Sequence, residues 1–384
     1  MDNLVSARLG DLVNVFIGGD APKEYTKEAS DENAVPIYSN GIEKEGLYGY
    51  TCSPKVEGDS VTISARGNVG AAFYRDKPFV PIVRLLALTP NRSLINAKYL
   101  YYLLKLDSII STGAAQQQIT APQIKKHRIT YYSDISYQNS IVAILSAYDS
   151  QIENNQKRIK LLEQMAENLY KEWFVRFRFP GYENAEFEGG VPKGWGKGSV
   201  ATYAEIMSGG TPKTDVVEYY GGNIPFFTPK DATDGFFSCS TFTMITEDGL
   251  NHCNSRYYPK NTITITARGT VGRVNMMGVP MAMNQSCFAL KSKYSGSNIY
   301  LFFALKEASA MMKKMASGGV FDTIVLKTFD HISILNPSVE LLGQFDIIVS
   351  PILDTILMLQ KNNDILTHQR DLLLPRLMSG KLSI

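Results

Sequence analysis

The sequence predicts an α+β protein in which two similar mixed α/β domains are joined by two long antiparallel coiled-coil helices, the halves forming a pseudo-twofold internal repeat. Three observations predict it. A set of short motifs occurs twice in the same order. Each set is followed by a stretch whose apolar residues recur at alternating spacings of four and three. One asparagine interrupts each of those apolar seams near its middle.

Self-similarity decides architecture before local patterns do. Residues 60–70 read SVTISARGNVG, and residues 261–272 read NTITITARGTVG, so that Arg66 matches Arg268. Upstream, Gly18-Gly19-Asp20-Ala21-Pro22-Lys23 is echoed by Gly209-Gly210-Thr211-Pro212-Lys213, and Val35-Pro36-Ile37-Tyr38 by Ile224-Pro225-Phe226-Phe227. Downstream, Tyr99-Leu100-Tyr101-Tyr102 is echoed by Tyr300-Leu301-Phe302-Phe303. The run from Thr112-Gly113 to Ile119 is echoed by that from Ser317-Gly318 to Ile324. The offset grows along the chain, so the second copy carries modest insertions. One shared motif arises by chance; five in one order do not.

Each motif has a local physical reading. Val61-Thr62-Ile63-Ser64 and Thr262-Ile263-Thr264-Ile265 are β-branched and alternating, which favours strands. The Arg-Gly-Asn-Val-Gly and Arg-Gly-Thr-Val-Gly that follow supply glycines for a tight turn into a return strand. The Gly-Gly-Pro-Lys segments are loops. One helix is expected near Leu100 to Leu106 and another near Leu301 to Glu307.

After each copy the pattern turns helical. The first seam runs Ile141, Leu145, Tyr148, Ile152, Asn155, Ile159, Leu162, Ala166, Leu169, Trp173. The second runs Phe345, Val349, Ile352, Ile356, Leu359, Asn363, Leu366, Arg370, Leu373, Leu377. Unbroken 4-3 alternation marks a coiled coil. The first stretch extends ~48 Å at ~1.5 Å per residue. Asn155 is fifth of its ten positions and Asn363 sixth, so an antiparallel pair would bring them together, fixing register at some cost in stability; the alternative is that both face solvent. Pro351 reads as a first-turn residue and Pro375 as a terminator. The boundaries that follow are 1–137 and 181–337 for the domains, 138–180 for the first helix and 338–384 for the second.

Composition narrows the function classes. With 384 residues, 44% hydrophobic and 20% charged, the chain can bury two cores. A net charge of +2 is low for a protein that binds nucleic acid by charge alone. Either DNA is not the partner, or basic residues cluster on one face, or other subunits supply phosphate contacts. Cys52, Cys239, Cys253 and Cys287 form no CxxC pair, so free thiols in a reducing compartment are expected rather than a zinc site. His127, His252, His331 and His368 are scattered. No catalytic constellation and no metal site is expected. The start lacks a basic, apolar leader, and no apolar run reaches the ~18–20 residues of a membrane span, so a cytoplasmic protein without a membrane partner is expected. Asn336-Pro337-Ser338 is the nearest fragment to an adenine methyltransferase loop, and it lacks the second proline and the aromatic.

Several stretches carry a family resemblance. Leu169-Tyr170-Lys171-Glu172-Trp173-Phe174-Val175 runs on to Phe177-Arg178-Phe179-Pro180-Gly181. Val191-Pro192-Lys193-Gly194-Trp195 follows, and the chain closes on Arg370-Asp371-Leu372-Leu373-Leu374-Pro375-Arg376-Leu377-Met378-Ser379-Gly380-Lys381-Leu382. With two domains of one design, each followed by a long helix, these resemble the specificity subunit of Type I restriction-modification systems. The first copy departs from the pattern in lacking a Pro-x-Gly-Trp lead-in. The resemblance implies a subunit with no chemistry or cofactor of its own. It implies double-stranded DNA as ligand, each domain a target-recognition domain reading half of a bipartite target. It implies two modification subunits that carry adenine methylation and S-adenosylmethionine, and restriction subunits that use ATP with Mg2+. The helices would set the gap between half-sites and dock the modification subunits. A related system with fused methyltransferase and nuclease, and a paired-domain adaptor without a DNA role, remain as alternatives.

The repeat also sorts the candidate DNA-binding residues. Domains that read different half-sites share framework and differ at base contacts. Shared Arg66 and Arg268, and Lys23 and Lys213, are therefore phosphate or framework residues. The divergent positions are base-reading candidates or variable surface loops: Tyr38 and Asn40 against Thr228 and Lys230, and Gln116, Gln117 and Gln118 against Phe321 and Asp322. Glutamine suits adenine N6 and N7, and aspartate accepts from cytosine N4. The tail beyond Asp371 is amphipathic and is expected to need a partner's surface to cover it.

Overall fold

The computed structural model describes residues 4–107, 118–294, 297–315 and 323–384. It divides into two units, Met1–Gln151 with Leu366–Ile384, and Ile152–Ile365.

In the first unit a four-stranded antiparallel sheet has the order Val13–Ile17, Leu86–Pro90, Ser60–Ile63, Ala72–Arg75. Beside it stands a three-stranded sheet, Leu47–Thr51, Val35–Tyr38, Val80–Pro81, whose last pair is parallel. Leu4–Arg8 pairs with Arg128–Tyr132. The β-branched run does what its composition demands: Val61 and Ile63 are both 0% exposed, against Leu88 and the helix Ala97–Leu106 through Tyr99 and Leu100. Asn96 caps that helix, its side chain accepting from the Lys98 and Tyr99 amides. Buried Gln138, in the first turn of the central helix, accepts from the Asn96 amide and donates to the Leu94 and Tyr132 carbonyls.

The second unit repeats this order. Its main sheet runs Ala204–Ser208, Cys287–Ser292, Ile263–Thr266, Val274–Met277 and adds Phe237–Ser238 as a fifth, parallel strand. Its small sheet is Thr243–Ile245, Tyr220–Phe227, Ala282–Met283, again with a parallel last pair. Gly196–Ser199 pairs with Ser333–Asn336. Its core helix, Asn298–Met315, is longer than the expected stretch near Leu301.

Two long helices carry the seams, a central one at Ile135–Tyr170 and a C-terminal one at Val339–Met378. Each unit holds part of both. Within the second unit, the Asn155 Nδ2 donates to Asn363 Oδ1 at 2.9 Å, while Trp173 lies against Phe345 with ring centroids 5.6 Å apart. Rising numbers on one helix thus meet falling numbers on the other, an antiparallel pair with the two asparagines in register. Within the first unit, Arg370 occupies its seam position by ion pairing with Asp149 at 2.7 Å and Asp371 at 2.8 Å.

The signature segments after the central helix pack on themselves. The helix ends in a widened turn, the Arg176 amide bonding the Lys171 carbonyl five residues back. Trp195 then sits against Phe174, Phe177 and Phe179, with ring centroids 6.0, 5.6 and 5.3 Å away.

Three expectations are corrected. Pro351 is not in a first turn; it lies inside the C-terminal helix, which starts at Val339. Leu341, Leu342, Phe345 and Val349 are buried in the second unit's core. At about 1.5–3 kcal/mol each, they outweigh the ~3 kcal/mol of an interior proline. The helix also runs past Pro375, to Met378. Second, a stretch of this helix reaches a mean hydropathy of 1.6 and is long and apolar enough to cross a membrane by composition. That apolarity reflects core packing in part, since Phe345, Val349 and Ile356 are 0% exposed. Third, much of the tail's apolar face is covered by the chain itself: Leu374, Leu377 and Met378 belong to the first unit's own core, and Tyr132 donates to the Leu377 carbonyl at 3.2 Å, while Leu372 stays exposed.

Candidate nucleic-acid interface

The two Arg-Gly turns are built alike. Gly67 and Gly269 adopt φ of +70° and +75°, and Gly70 and Gly272 +85° and +75°, values that glycine reaches without steric cost. In one turn the Ser64 amide bonds the Ala71 carbonyl and the Gly70 amide bonds the Ser64 carbonyl. In the other, Thr266 bonds Arg273 and Gly272 bonds Thr266 in the same way. Behind each turn, the Ile119 amide donates to the Ala65 carbonyl and the Ile324 amide to the Ala267 carbonyl. Ile119 and Ile324, which follow the divergent segments in sequence, are therefore held beside the shared arginines. Arg66 and Arg268 are both exposed.

In the first unit, Arg66 Nε and Nη2 donate to Gln118 Oε1 at 3.0 and 2.9 Å, so the shared arginine orients a divergent glutamine. Asn40 is braced at both ends: its Nδ2 donates to the Val83 carbonyl at 2.6 Å and its Oδ1 accepts from the Ala65 amide at 2.7 Å. Tyr38 lies half-buried under the Arg75 guanidinium, 3.6 Å from the ring centre. Burial pushes its hydroxyl pKa up, with Arg75 opposing. Arg75, 2% exposed, also pairs with Glu45 at 3.2 Å. Lys23 is exposed on its loop. Gln116, Gln117, Phe321 and Asp322 lie outside the described residues.

In the second unit the structure gathers three predicted residues, Thr228, Lys230 and Arg268, around one open groove of about 780 Å³. Pro229, Phe242, Thr243, Gly269, Asn284 and Ser286 complete it. Two cations, an amide and several hydroxyls face it, and no carboxylate among the described residues lines it, a surface suited to a polyanion. The nearby Asp231 is 6% exposed and spent on the loop itself, accepting from the Thr228 amide and hydroxyl at 2.7 Å each. Lys213 is exposed outside this groove, though neighbouring Thr211 bonds Gln285, which adjoins Asn284. Away from the groove, burial pushes the thiols of Cys239 and Cys287 up to about 11 and about 12, far from reactive thiolates.

The model of the Type I restriction modification DNA specificity domain matches residues 1–164 and again 192–366. The chain belongs to this family. As a type I specificity subunit it is 26% identical over 399 residues to the HindI specificity subunit of Haemophilus influenzae, covering 85% of this chain and 87% of that one. It is 24% identical over 339 residues to the MjaIX specificity subunit of Methanocaldococcus jannaschii, covering 85% and 78%. It is 24% identical over 367 residues to the EcoR124I/EcoR124II specificity subunit of Escherichia coli, covering 87% and 85%. The crystal structure of the S subunit from M. genitalium superposes with a TM-score of 0.65 over 98% of this chain and 96% of that one, at 18% identity, which establishes a shared fold.

Sequence reasoning missed Phe242, Asn284 and Ser286 of this specificity subunit's groove. Phe242 sits in a polar tract with no periodicity. Asn284 and Ser286 come from the turn after Ala282–Met283, which joins the groove through the parallel pairing with Phe226–Phe227 and the bond from the Ala267 amide to the Ser286 carbonyl, both between residues far apart in sequence.

Proposed function

We propose that this specificity subunit reads a bipartite DNA target, one half-site per unit, and performs no chemistry itself. Adenine methylation with S-adenosylmethionine belongs to two modification subunits docked on it. ATP- and Mg2+-dependent cleavage belongs to restriction subunits in the full assembly. The observation that carries the reading is the doubling: one fold and one Arg-Gly turn occur twice, with different side chains beside the shared arginine. Arg66 and Arg268 supply phosphate contacts that position the duplex, and the divergent neighbours read base edges. In the first unit Gln118, oriented by Arg66, is set to address adenine; in the second the groove around Lys230 and Thr228 takes the other half-site. Lys23 and Lys213 add backbone contacts.

The long helices set the unread gap and dock the modification subunits. Exposed apolar side chains support the docking role. Leu161 and Met165 on the central helix are 60% and 57% exposed, and Met358 and Ile365 on the C-terminal helix 60% and 56%. Such side chains on paired helices mark a surface for further helices.

The test is methylome sequencing of a methylation-free host that expresses the chain with its modification subunits. A motif of two short half-sites separated by a fixed gap is expected. A single contiguous motif, or methyl transfer by the purified chain alone, overturns the reading.

A further inference from the structure

We infer that Phe242 is a specificity-determining residue for the second half-site, its ring making an apolar contact with one base. The inference rests on the reading that the second unit's groove receives DNA, and it assigns a contact within that groove.

A single exposed phenylalanine is ordinary on a protein surface. Three observations set this one apart. Phe242 is 86% exposed, yet its backbone is held from within: its amide donates to Oδ1 of buried Asp231 at 2.7 Å. The other oxygen of that carboxylate holds the Thr228 amide and hydroxyl, so one buried group ties both ends of the loop that presents the ring. Thr241 adds to the clamp, accepting from the Phe226 amide at 3.2 Å and donating to the Thr243 carbonyl at 2.7 Å. A rigid loop that displays an apolar ring is preorganised to bind, since little freedom is lost on contact.

The second observation is company. Lys230 and Arg268 line the same groove, with Asn284 and the Thr228 hydroxyl. Cations that hold a phosphate backbone bring base edges to a ring in the same groove. Phenylalanine there meets a thymine methyl or a base face, the apolar counterpart of hydrogen-bonded readout. The third observation is divergence. The corresponding hairpin connection in the first unit, between Val35–Tyr38 and Leu47–Thr51, is shorter and carries Ile42, 53% exposed. Both units therefore present one large apolar side chain from this connection, of different shape, as domains that read different bases require.

The experiment uses the chain assembled with its modification subunits. Methylomes are sequenced for wild type, Phe242→Ala, Arg268→Ala and Lys230→Ala, and affinity is measured by fluorescence anisotropy on duplexes carrying the wild-type motif. Phe242→Ala is expected to make one position of one half-site degenerate and to weaken binding about fivefold to about a hundredfold. The other half-site and the gap stay unchanged. An unaltered motif with unaltered affinity overturns the inference. So does loss of the assembled complex on size exclusion, which would make Phe242 a protein contact. Arg268→Ala is expected to weaken binding without changing the motif, and Lys230→Ala to weaken binding and relax a position other than the one Phe242 reads. If both keep full affinity and motif, the groove does not receive DNA and the inference falls with that reading. If they weaken binding while Phe242→Ala does nothing, the inference alone falls.

Discussion

Replacing Asn363 with leucine should destabilise the second unit by about 1–3 kcal/mol, the cost of taking a hydrogen-bond acceptor from a buried polar group. Replacing Asn155 should cost less than about 1 kcal/mol. The asymmetry comes from burial. Asn155 is 0% exposed and donates to Asn363 at 2.9 Å, whereas Asn363 is half-buried at the edge of the seam. Asn363→Leu takes one acceptor from a side chain that water cannot reach; Asn155→Leu leaves Asn363 with a carbonyl that water can reach. Changing both to leucine removes the mismatch and should restore most of the stability, while giving up the polar pair that fixes register. The assay is built into the chain: its two tryptophans, Trp173 and Trp195, both lie in the second unit. Tryptophan fluorescence during thermal unfolding therefore reports that unit alone. For a unit of this size each kcal/mol shifts Tm by ~2–4 °C. If Asn155→Leu lowers Tm as much as Asn363→Leu, or if the double variant loses the sum of the two, the seam is not organised around this pair.

Other expectations follow from the same structure. A four-residue insertion after Glu153, matched by four residues after Ile365 so that the asparagines stay paired, adds ~6 Å of helix. The methylome should show the gap lengthened by one or two base pairs with both half-sites unchanged; changed half-site bases would refute the separation of measuring from reading. Deleting the residues after Asp371 removes Leu374, Leu377 and Met378 from the first unit's core. At about 2–5 kcal/mol per large side chain, proteolysis should then digest that unit while the second survives; resistance of both would refute this. Gln118→Ala releases the amide that Arg66 orients and should relax one half-site, read by methylome, without altering the gap.

The sequence made the framework legible and left the reading surface dark, for physical reasons. Long helices announce their buried faces through spacing, so all ten positions of the first seam, from Ile141 to Trp173, are buried or half-buried. The asparagine register followed from counting alone. Internal repetition exposed the Arg-Gly turns because two copies share a backbone requirement for glycine. Phe242 lacked any such signal: whether an isolated aromatic in a polar loop is core or surface depends on Asp231, eleven residues away in the chain and fixed only by the fold. Pro351 misled because a local rule about proline was weighed without the tertiary burial of Phe345 and Val349. The tail misled for the same reason, much of its apolar face being covered by Tyr132 and its neighbours, over two hundred residues upstream.

The near-neutral charge bears on the proposed grip on DNA. Several of its cations are committed internally: Arg75 to Glu45, Arg370 to Asp149 and Asp371, Arg273 to Asp234, Lys306 to Glu167. Lys23, Arg66, Lys213, Lys230 and Arg268 are exposed around the proposed DNA-contacting surfaces. Each phosphate neutralised contributes a slope of about −0.9 to log K against log salt. If these five are the chain's phosphate contacts, they cap its slope near −4.5, a weak electrostatic grip. On the proposed reading, the remaining phosphate contacts are expected from the modification subunits. Titrations by fluorescence anisotropy at rising salt should give a slope no steeper than that cap for the chain alone and a clearly steeper one for the assembly. An isolated chain with a slope near −10, or one unchanged by its partners, would show that the chain carries its own backbone grip and that this division of labour is wrong.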